Sequence, residues 1–216
     1  MTRSKAEILE IMRIFERENP NPQCELNFHN PYTLLVAVML SAQSTDKGVN
    51  KATAELFKIA DSPQKMLDLG EEKLKSYIKT IGLFNNKAKN IMLMSRQLVD
   101  DFDSEVPADR DILTTLAGVG RKTANVVMNV WYHQPTLAVD THVMRIAHRL
   151  DFSRGKTPLD VERDLTKVLP PELVVNTNHW LVLFGRYICK AQHPLCAQCP
   201  VYEYCRSTDK QNTGVK

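Results

Sequence analysis

Apolar residues return every three or four positions along most of this chain, the spacing that lays one stripe of a helix against a core. Ile8, Ile11, Met12 and Phe15 make the first stripe, and Asn19-Pro20-Asn21-Pro22 ends it. Asn30 and Pro31 read as an N-cap and first helical residue. They open YTLLVAVMLSAQS, which is so uniformly apolar that it predicts a buried helix. Residues 46–60 repeat Val49, Ala52, Leu56 and Ile59. Ser62-Pro63 opens a short helix closed by Gly70, and Leu74, Ile78 and Ile81 mark another closed by Gly82. Residues 86–102 carry Ala88, Ile91, Met92, Ser95 and Leu98, and Val106-Pro107 reads as a linker.

Two further helices flank Gly118-Val119-Gly120, one carrying Ile112, Leu113 and Leu116, the other Ala124, Val127, Met128 and Trp131. Asp140 reads as the N-cap of THVMRIAHRL, and Thr157-Pro158 opens a helix that Pro170-Pro171 stops. The last helix runs through Trp180, Leu181, Phe184 and Tyr187. With roughly ten helices, short connections and no strand or hairpin pattern, the fold class is all-α. Only the tail after Cys205 reads as loose.

Composition narrows this picture without redirecting it. The chain has 216 residues, enough for one large or two small domains, and a formal net charge of +3. So mild a basic excess permits a nucleic-acid partner but does not argue for one, because the clustering of charge decides. The N-terminal stripe lacks the apolar core and cleavage site of a signal peptide. The longest apolar run, residues 34–40, is too short to span a bilayer. We therefore expect a cytoplasmic protein with no membrane partner, working as a monomer.

Chemistry concentrates in two places. Between the helices around Gly118 and Gly120, a tight turn would leave bare amides at the start of the second helix, aimed where an anion could sit. Lys122 lies in that helix's first turn, where the positive end of the dipole disfavours a cation. Taken alone, a glycine cap followed by a surface lysine explains the pattern equally well. The second place holds four of the five cysteines, spaced Cys189-x6-Cys196-x2-Cys199-x5-Cys205, with Cys24 far away. A disulfide framework does not suit this count. Four thiolates in so short a segment suit a metal centre. Structural zinc usually takes two separated close pairs, and only one is present, which favours a four-iron, four-sulfur cluster while leaving zinc as the alternative. Arg186, Lys190, Arg206 and Lys210 surround this loop, either as a solvated face or as a surface set against phosphates.

GVGRKTA between two helices, AVDTHV some twenty residues on and the cysteine spacing, in that order, resemble the endonuclease III family of helix-hairpin-helix DNA glycosylases. The likeness extends from ELNFHNPYTLLVAVMLSAQSTD through YIKTIGLFNNKA to HWLVLFGRYICKAQHPLCAQC, nearly the whole chain. It implies two helical domains with DNA across a cleft. A six-helix barrel would span about residues 22–132, with the hairpin at about 109–132. A cluster domain would combine 1–21 with 133–216, its cluster loop at 189–205. The cofactor implied is a [4Fe-4S] cluster on Cys189, Cys196, Cys199 and Cys205. The partner implied is double-stranded DNA holding a damaged base or an abasic site.

The resemblance also implies roles. Lys122 is the nucleophile and Asp140 the catalytic carboxylate. Gln43 fills the space left by an extruded base, and Leu83 wedges into the stack. Gly118, Val119, Gly120 and Arg121 hold a phosphate, with His142, Arg186 and Lys190 at the DNA backbone. The helix N-terminus and partial burial would both favour the neutral amine of Lys122. The activity implied is removal of oxidised pyrimidines with strand cleavage 3′ to the abasic site. Rival readings are a sibling glycosylase for mismatched thymine or pyrimidine dimers, and a non-catalytic DNA-binding hairpin module. One departure stands out: the family usually has proline before GVG, where this chain has Ala117. The residue before the turn is then freer in the unfolded chain, which predicts a slightly looser hairpin.

Overall fold

The computed structural model of the chain describes residues 3–211, and every regular element among them is helical. No helix among these residues is long and apolar enough to cross a membrane. The helices are α1 (Lys5–Glu18), α2 (Pro31–Ser41), α3 (Asp46–Ile59), α4 (Pro63–Leu69), α5 (Glu71–Ile78) and α6 (Phe84–Asp101), followed by α7 (Arg110–Leu113), α8 (Arg121–Val130), α9 (Thr141–Arg149), α10 (Pro158–Val168) and α11 (Pro171–Tyr187). They form two compact units, one of Cys24–Gln134 and one of Met1–Gln23 with Pro135–Lys216.

The Cys24–Gln134 unit is built around α2. Every residue from Tyr32 to Leu40 is buried, as an all-apolar helix demands, and α3, α6 and α8 pack on it. Each such leucine or valine stabilises the unit by about 1.5–3 kcal/mol. A capping box starts the helix: the Asn30 side chain accepts the Thr33 amide at 2.7 Å, and the Thr33 hydroxyl oxygen accepts the Asn30 amide at 3.1 Å. Tyr32 and Ser95 are paired within this core. Ser95 gives its proton to the Ile91 carbonyl at 2.7 Å, so the Tyr32 hydroxyl donates to Ser95 across 2.6 Å. Burial holds the Tyr32 phenol far above its ordinary titration range.

Three elements here differ from the periodicity. Helix α5 ends at Ile78, and Ile81 is buried beyond it. The chain reverses not on Gly82 but on Leu83, whose φ is 57°. Helix α6 then starts at Phe84, two residues before the stripe suggests. The helix before the glycine turn shrinks to the four residues of α7.

The second unit packs α11 on α9 and α1, with α10 on α9. Ile11, Met12, Val143, Ile146 and Leu181 are almost wholly buried in its core. The rings of Phe15 and Phe184 sit 5.0 Å apart, and the Trp180 indole donates to the Asn19 carbonyl at 2.7 Å. Pro171 does not merely stop α10. It is the first residue of α11, where a missing amide proton costs nothing. The tail after Cys205 is tied down over its described length. The Arg206 amide donates to the Arg149 carbonyl at 3.3 Å, and Arg206 pairs with Glu7 at 3.0 Å and Asp151 at 3.1 Å. Asp209 receives Arg149 at 2.7 Å. Residues 212–216 lie outside the described residues.

Candidate active site and metal centre

The glycine turn in the Cys24–Gln134 unit is built as a close-packed hairpin. Asp109 caps α7, accepting the amides of Asp111 and Ile112 at 2.8 and 2.9 Å. Gly118 takes φ 74°, and a Cβ there would stand 2.8 Å from the Asn90 side chain, so both backbone and packing require glycine. Gly120 is extended and caps α8 with no side chain, so nothing of its own stands before the helix's first turn. Such a turn is a ready anion seat. Val119 contributes less than expected: its side chain is buried, and the Leu116 carbonyl takes its amide at 3.1 Å. It anchors the turn to the core.

Arg121 and Lys122 follow, both exposed. The partial burial expected of Lys122 is not met, although the residue does lie in the first turn of α8. Sequence periodicity also missed Gln97. From α6 its Oε1 accepts the Ala117 amide at 2.7 Å, and its Nε2 donates to the Thr115 carbonyl at 3.3 Å. The residue that replaces proline therefore uses the amide a proline would lack.

Gln43 and Leu83 come together in the same unit. Helix α2 ends at Ser41, so Gln43 lies beyond it, with φ 57°. Leu83 has the same φ and is 59% exposed. The two loops touch, for a Cβ on Gly82 would lie 3.6 Å from the Gln43 carbonyl oxygen. Left-handed backbone in non-glycine residues is uncommon and costs of order 1–3 kcal/mol. Here two exposed side chains are presented side by side on it.

Asp140 lies in the other unit. One carboxylate oxygen accepts the amides of His142 and Val143 at 2.8 and 2.9 Å, which caps α9 and fixes the side chain. Arg145 ties the following turn to α11 and to the cysteine segment. Its guanidinium contacts His142 Nδ1 at 3.2 Å and donates to the carbonyls of Gly185 at 2.8 Å and Cys189 at 3.2 Å. Gly185 lets the two helices approach, since a Cβ there would meet His142 Cβ at 2.9 Å. Burial pushes the His142 imidazole below its ordinary value, the cations Arg145 and Arg186 add to this, and Asp140 opposes it. His142 thus meets a partner as a neutral ring. Lys190 is exposed and Arg186 half-exposed at the mouth of the cysteine loop.

The four cysteines of that loop are half-buried and in no disulfide. Two short 3-10 turns, Cys196–Gln198 and Tyr202–Tyr204, fold the segment back on itself. The Cys199 thiol is pushed up to about 12 by burial, with Cys189, Cys205 and Cys196 each adding to the rise. The thiols of Cys189 and Cys199, both raised by burial, belong to a donor set that a cationic centre would suit. A four-iron, four-sulfur cube suits four thiolates in so short a segment. Arg149 supports the loop, donating to Cys189 Sγ at 3.3 Å and to the Lys190 carbonyl at 2.7 Å.

Comparison with known proteins follows the same lines. Residues 36–171 match the HhH-GPD superfamily of base excision DNA repair proteins, and residues 189–205 match the iron–sulfur binding domain of endonuclease III. Endonuclease III of Haemophilus influenzae is 51% identical over 207 residues, covering 96% of this chain and 98% of that one. Endonuclease III of Escherichia coli K12 is 50% identical over 207 residues with the same coverage. A solved structure of a trapped covalent intermediate between endonuclease III and DNA superposes with a TM-score of 0.90 at 45% identity, covering 94% of this chain and 96% of that one. A thermostable thymine-DNA glycosylase shares the fold, with a TM-score of 0.80 at 21% identity.

Proposed function

From the premise that this chain belongs to the endonuclease III family of base-excision DNA repair proteins, we propose how its residues divide the work. It is a DNA glycosylase and abasic-site lyase that binds damaged duplex DNA and carries an iron–sulfur cluster. Its substrates are oxidised pyrimidines, and a bacterial cell would hold it in the cytoplasm beside the nucleoid.

A damaged base inside a duplex is out of reach until it swings from the stack. Gln43 and Leu83, exposed on adjoining left-handed turns, fill the space it leaves and wedge the strand. The turn at Gly118 and Gly120 seats a backbone phosphate against the first turn of α8, with Arg121 beside it. That places Lys122, the next residue, at the sugar.

Its amine lone pair attacks C1′, and the C1′–N bond breaks with its electrons passing to the departing base, which takes up a proton. Loss of the amine proton and opening of the sugar ring give a Schiff base. The positive charge at C1′ acidifies the C2′ proton. Its removal forms the C2′–C3′ double bond and expels the 3′ phosphate, which cuts the strand. Water then releases Lys122. Asp140, held rigid by two amides, stabilises positive character at the sugar and moves protons to and from the amine. Cys189, Cys196, Cys199 and Cys205 would hold the cluster, which would pin the loop and so present Arg186 and Lys190 to the backbone. His142 donates to a phosphate as a neutral ring.

The observation that carries this reading is Lys122 at the opening of α8, directly behind a side-chain-free cap. Borohydride reduction in the presence of duplex carrying an abasic site or an oxidised pyrimidine should trap a covalent complex. Lys122→Gln should lose it, and a complex that persists in that variant would refute the assignment.

A further inference from the structure

Lys87 is a buried lysine that the chemistry above does not use. It lies in the first turns of α6 with 8% of its surface exposed. Its ammonium donates to the carbonyls of Leu40 at 2.9 Å and Ala42 at 2.5 Å, with the Ser44 hydroxyl at 3.5 Å. These are the last carbonyls of α2 and the two neighbours of Gln43. Helix α2 has no basic residue of its own in its last turn, so Lys87 supplies from another helix the cation its negative end lacks. The backbone of Lys87 reaches the other loop, its amide donating to the Leu83 carbonyl at 3.0 Å. One residue is therefore bonded from its side chain to the turn of Gln43 and from its main chain to the turn of Leu83.

A lysine is a costly way to fill such a site. Burial alone shifts its titration, downward, and no carboxylate compensates it. An unbranched apolar side chain would occupy the same space without burying a charge. What it could not do is hold the Ala42 carbonyl and so keep Gln43 at φ 57°, beside the equally unfavourable turn of Leu83. We propose that Lys87 is the positioning residue that fixes the plug Gln43 and the wedge Leu83 relative to each other before DNA binds. This rests on the roles given to those two residues above. With the pair set in advance, extruding a base does not have to order two strained turns as well.

The test compares two substrates of the same chemistry. A single strand with an abasic site needs no extrusion, whereas a duplex does. Lys87→Met should cut the single strand at the parent's rate and the duplex about tenfold more slowly, equivalent to about 1.4 kcal/mol. 2-Aminopurine next to the lesion in the duplex should brighten less on binding. Lys87→Arg, which keeps donors and charge, should restore most of both. Combining Lys87→Met with Gln43→Ala and Leu83→Ala should slow the duplex no further than those two changes alone. Equal loss on both substrates, no loss on the duplex, or a full additional loss in the combined variant would each overturn the proposal. If Gln43→Ala with Leu83→Ala leaves duplex cleavage and fluorescence unchanged, the plug and wedge assignment itself falls, and this proposal with it. Should Lys87→Met not fold, Lys87→Gln reads the same ratio, since its shorter amide reaches at most one carbonyl.

Discussion

The link between Gln97 and Ala117 turns an apparent weakness of the hairpin into a measurable coupling. Gln97 accepts the Ala117 amide at 2.7 Å and donates to Thr115 at 3.3 Å. A neutral hydrogen bond is worth about 0.5–1.5 kcal/mol net, and the longer one belongs at the bottom of that range. Gln97→Ala should therefore cost about 1–2 kcal/mol. Ala117→Pro removes the amide, losing about 1 kcal/mol. In return the unfolded chain has fewer conformations, a gain of about 0.4–1 kcal/mol where the ring fits. The two nearly cancel, so proline should change stability little, contrary to the looser hairpin that sequence alone suggests for alanine. The sharper quantity is the coupling: once proline is present, Gln97→Ala has only the Thr115 bond to lose, and its cost should shrink by about 1 kcal/mol. In a chain of this length that is about 2–4 °C in melting temperature. Thermal melts of the four proteins measure it, and amide exchange at Ala117, faster in Gln97→Ala than in the parent, locates it. Affinity for a duplex with a stable abasic analogue reports whether the phosphate seat follows. An equal cost of Gln97→Ala in both backgrounds would show that the bond does not hold the turn.

The Asp140 cap separates structure from catalysis. Asparagine caps a helix about as well as aspartate, so Asp140→Asn should leave the melting of the protein almost unmoved while slowing single-turnover cleavage of abasic duplex many-fold; unaltered turnover would remove its role. The ties of Arg206 to Glu7 and Asp151 predict a pH signature. Burial would raise the Asp151 carboxyl, but bonds from Arg154 and Arg206 outweigh it, and Glu7 is lowered chiefly by Ser4 with Arg206 contributing. Both folded-state values lie below their ordinary values, so their stabilisation is complete only above about pH 5 and is lost as pH falls through the folded values. Arg206→Gln should therefore be less stable than the parent at pH 7, by a margin that narrows as pH falls below the ordinary carboxylate range. Urea melts over that fall in pH decide, and a gap that does not narrow would place the contribution of Arg206 elsewhere.

What the sequence made legible was local. Asn30-Pro31, Ser62-Pro63, Thr157-Pro158 and Asp140 each start a helix where they stand, because a cap is satisfied within three or four residues. The uniform apolar run of α2 could only be buried, and Gly118 takes the positive φ that its turn needs. The misses depend on partners far away in the chain. Nothing next to Leu83 announces a left-handed leucine; the neighbouring glycine is the expected candidate, yet the strain falls on the exposed side chain. Gln97 reads as one more polar residue on α6 until Ala117, twenty residues on, supplies its partner. The tail after Cys205 looks loose because its anchors, Glu7, Arg149 and Asp151, are remote. Val119, expected with its flanking glycines to hold a phosphate, has its side chain buried in the core.

Lys87 and Lys122 show why residue type and position alone do not assign a role. Both lie near the start of a helix just after a turn with positive φ, on Leu83 in one case and Gly118 in the other. By local pattern they are interchangeable. Lys87 is surrounded by protein, its charge neutralised by the dipoles of two carbonyls and its donors engaged. Such an amine holds its neighbours and has no path to a sugar. Lys122 is exposed, so the water around it is displaced only by what binds in front of α8. If Lys122 is the nucleophile proposed above, binding and activation would be one event: a phosphate seated by the glycine turn would bring the sugar to the amine together with the desolvation that a nucleophile requires. The exposed Lys122 and the buried Lys87 are therefore suited to complementary roles. On the roles proposed, Lys87 would keep Gln43 and Leu83 ready, and Lys122 would become reactive where the extruded nucleotide covers it.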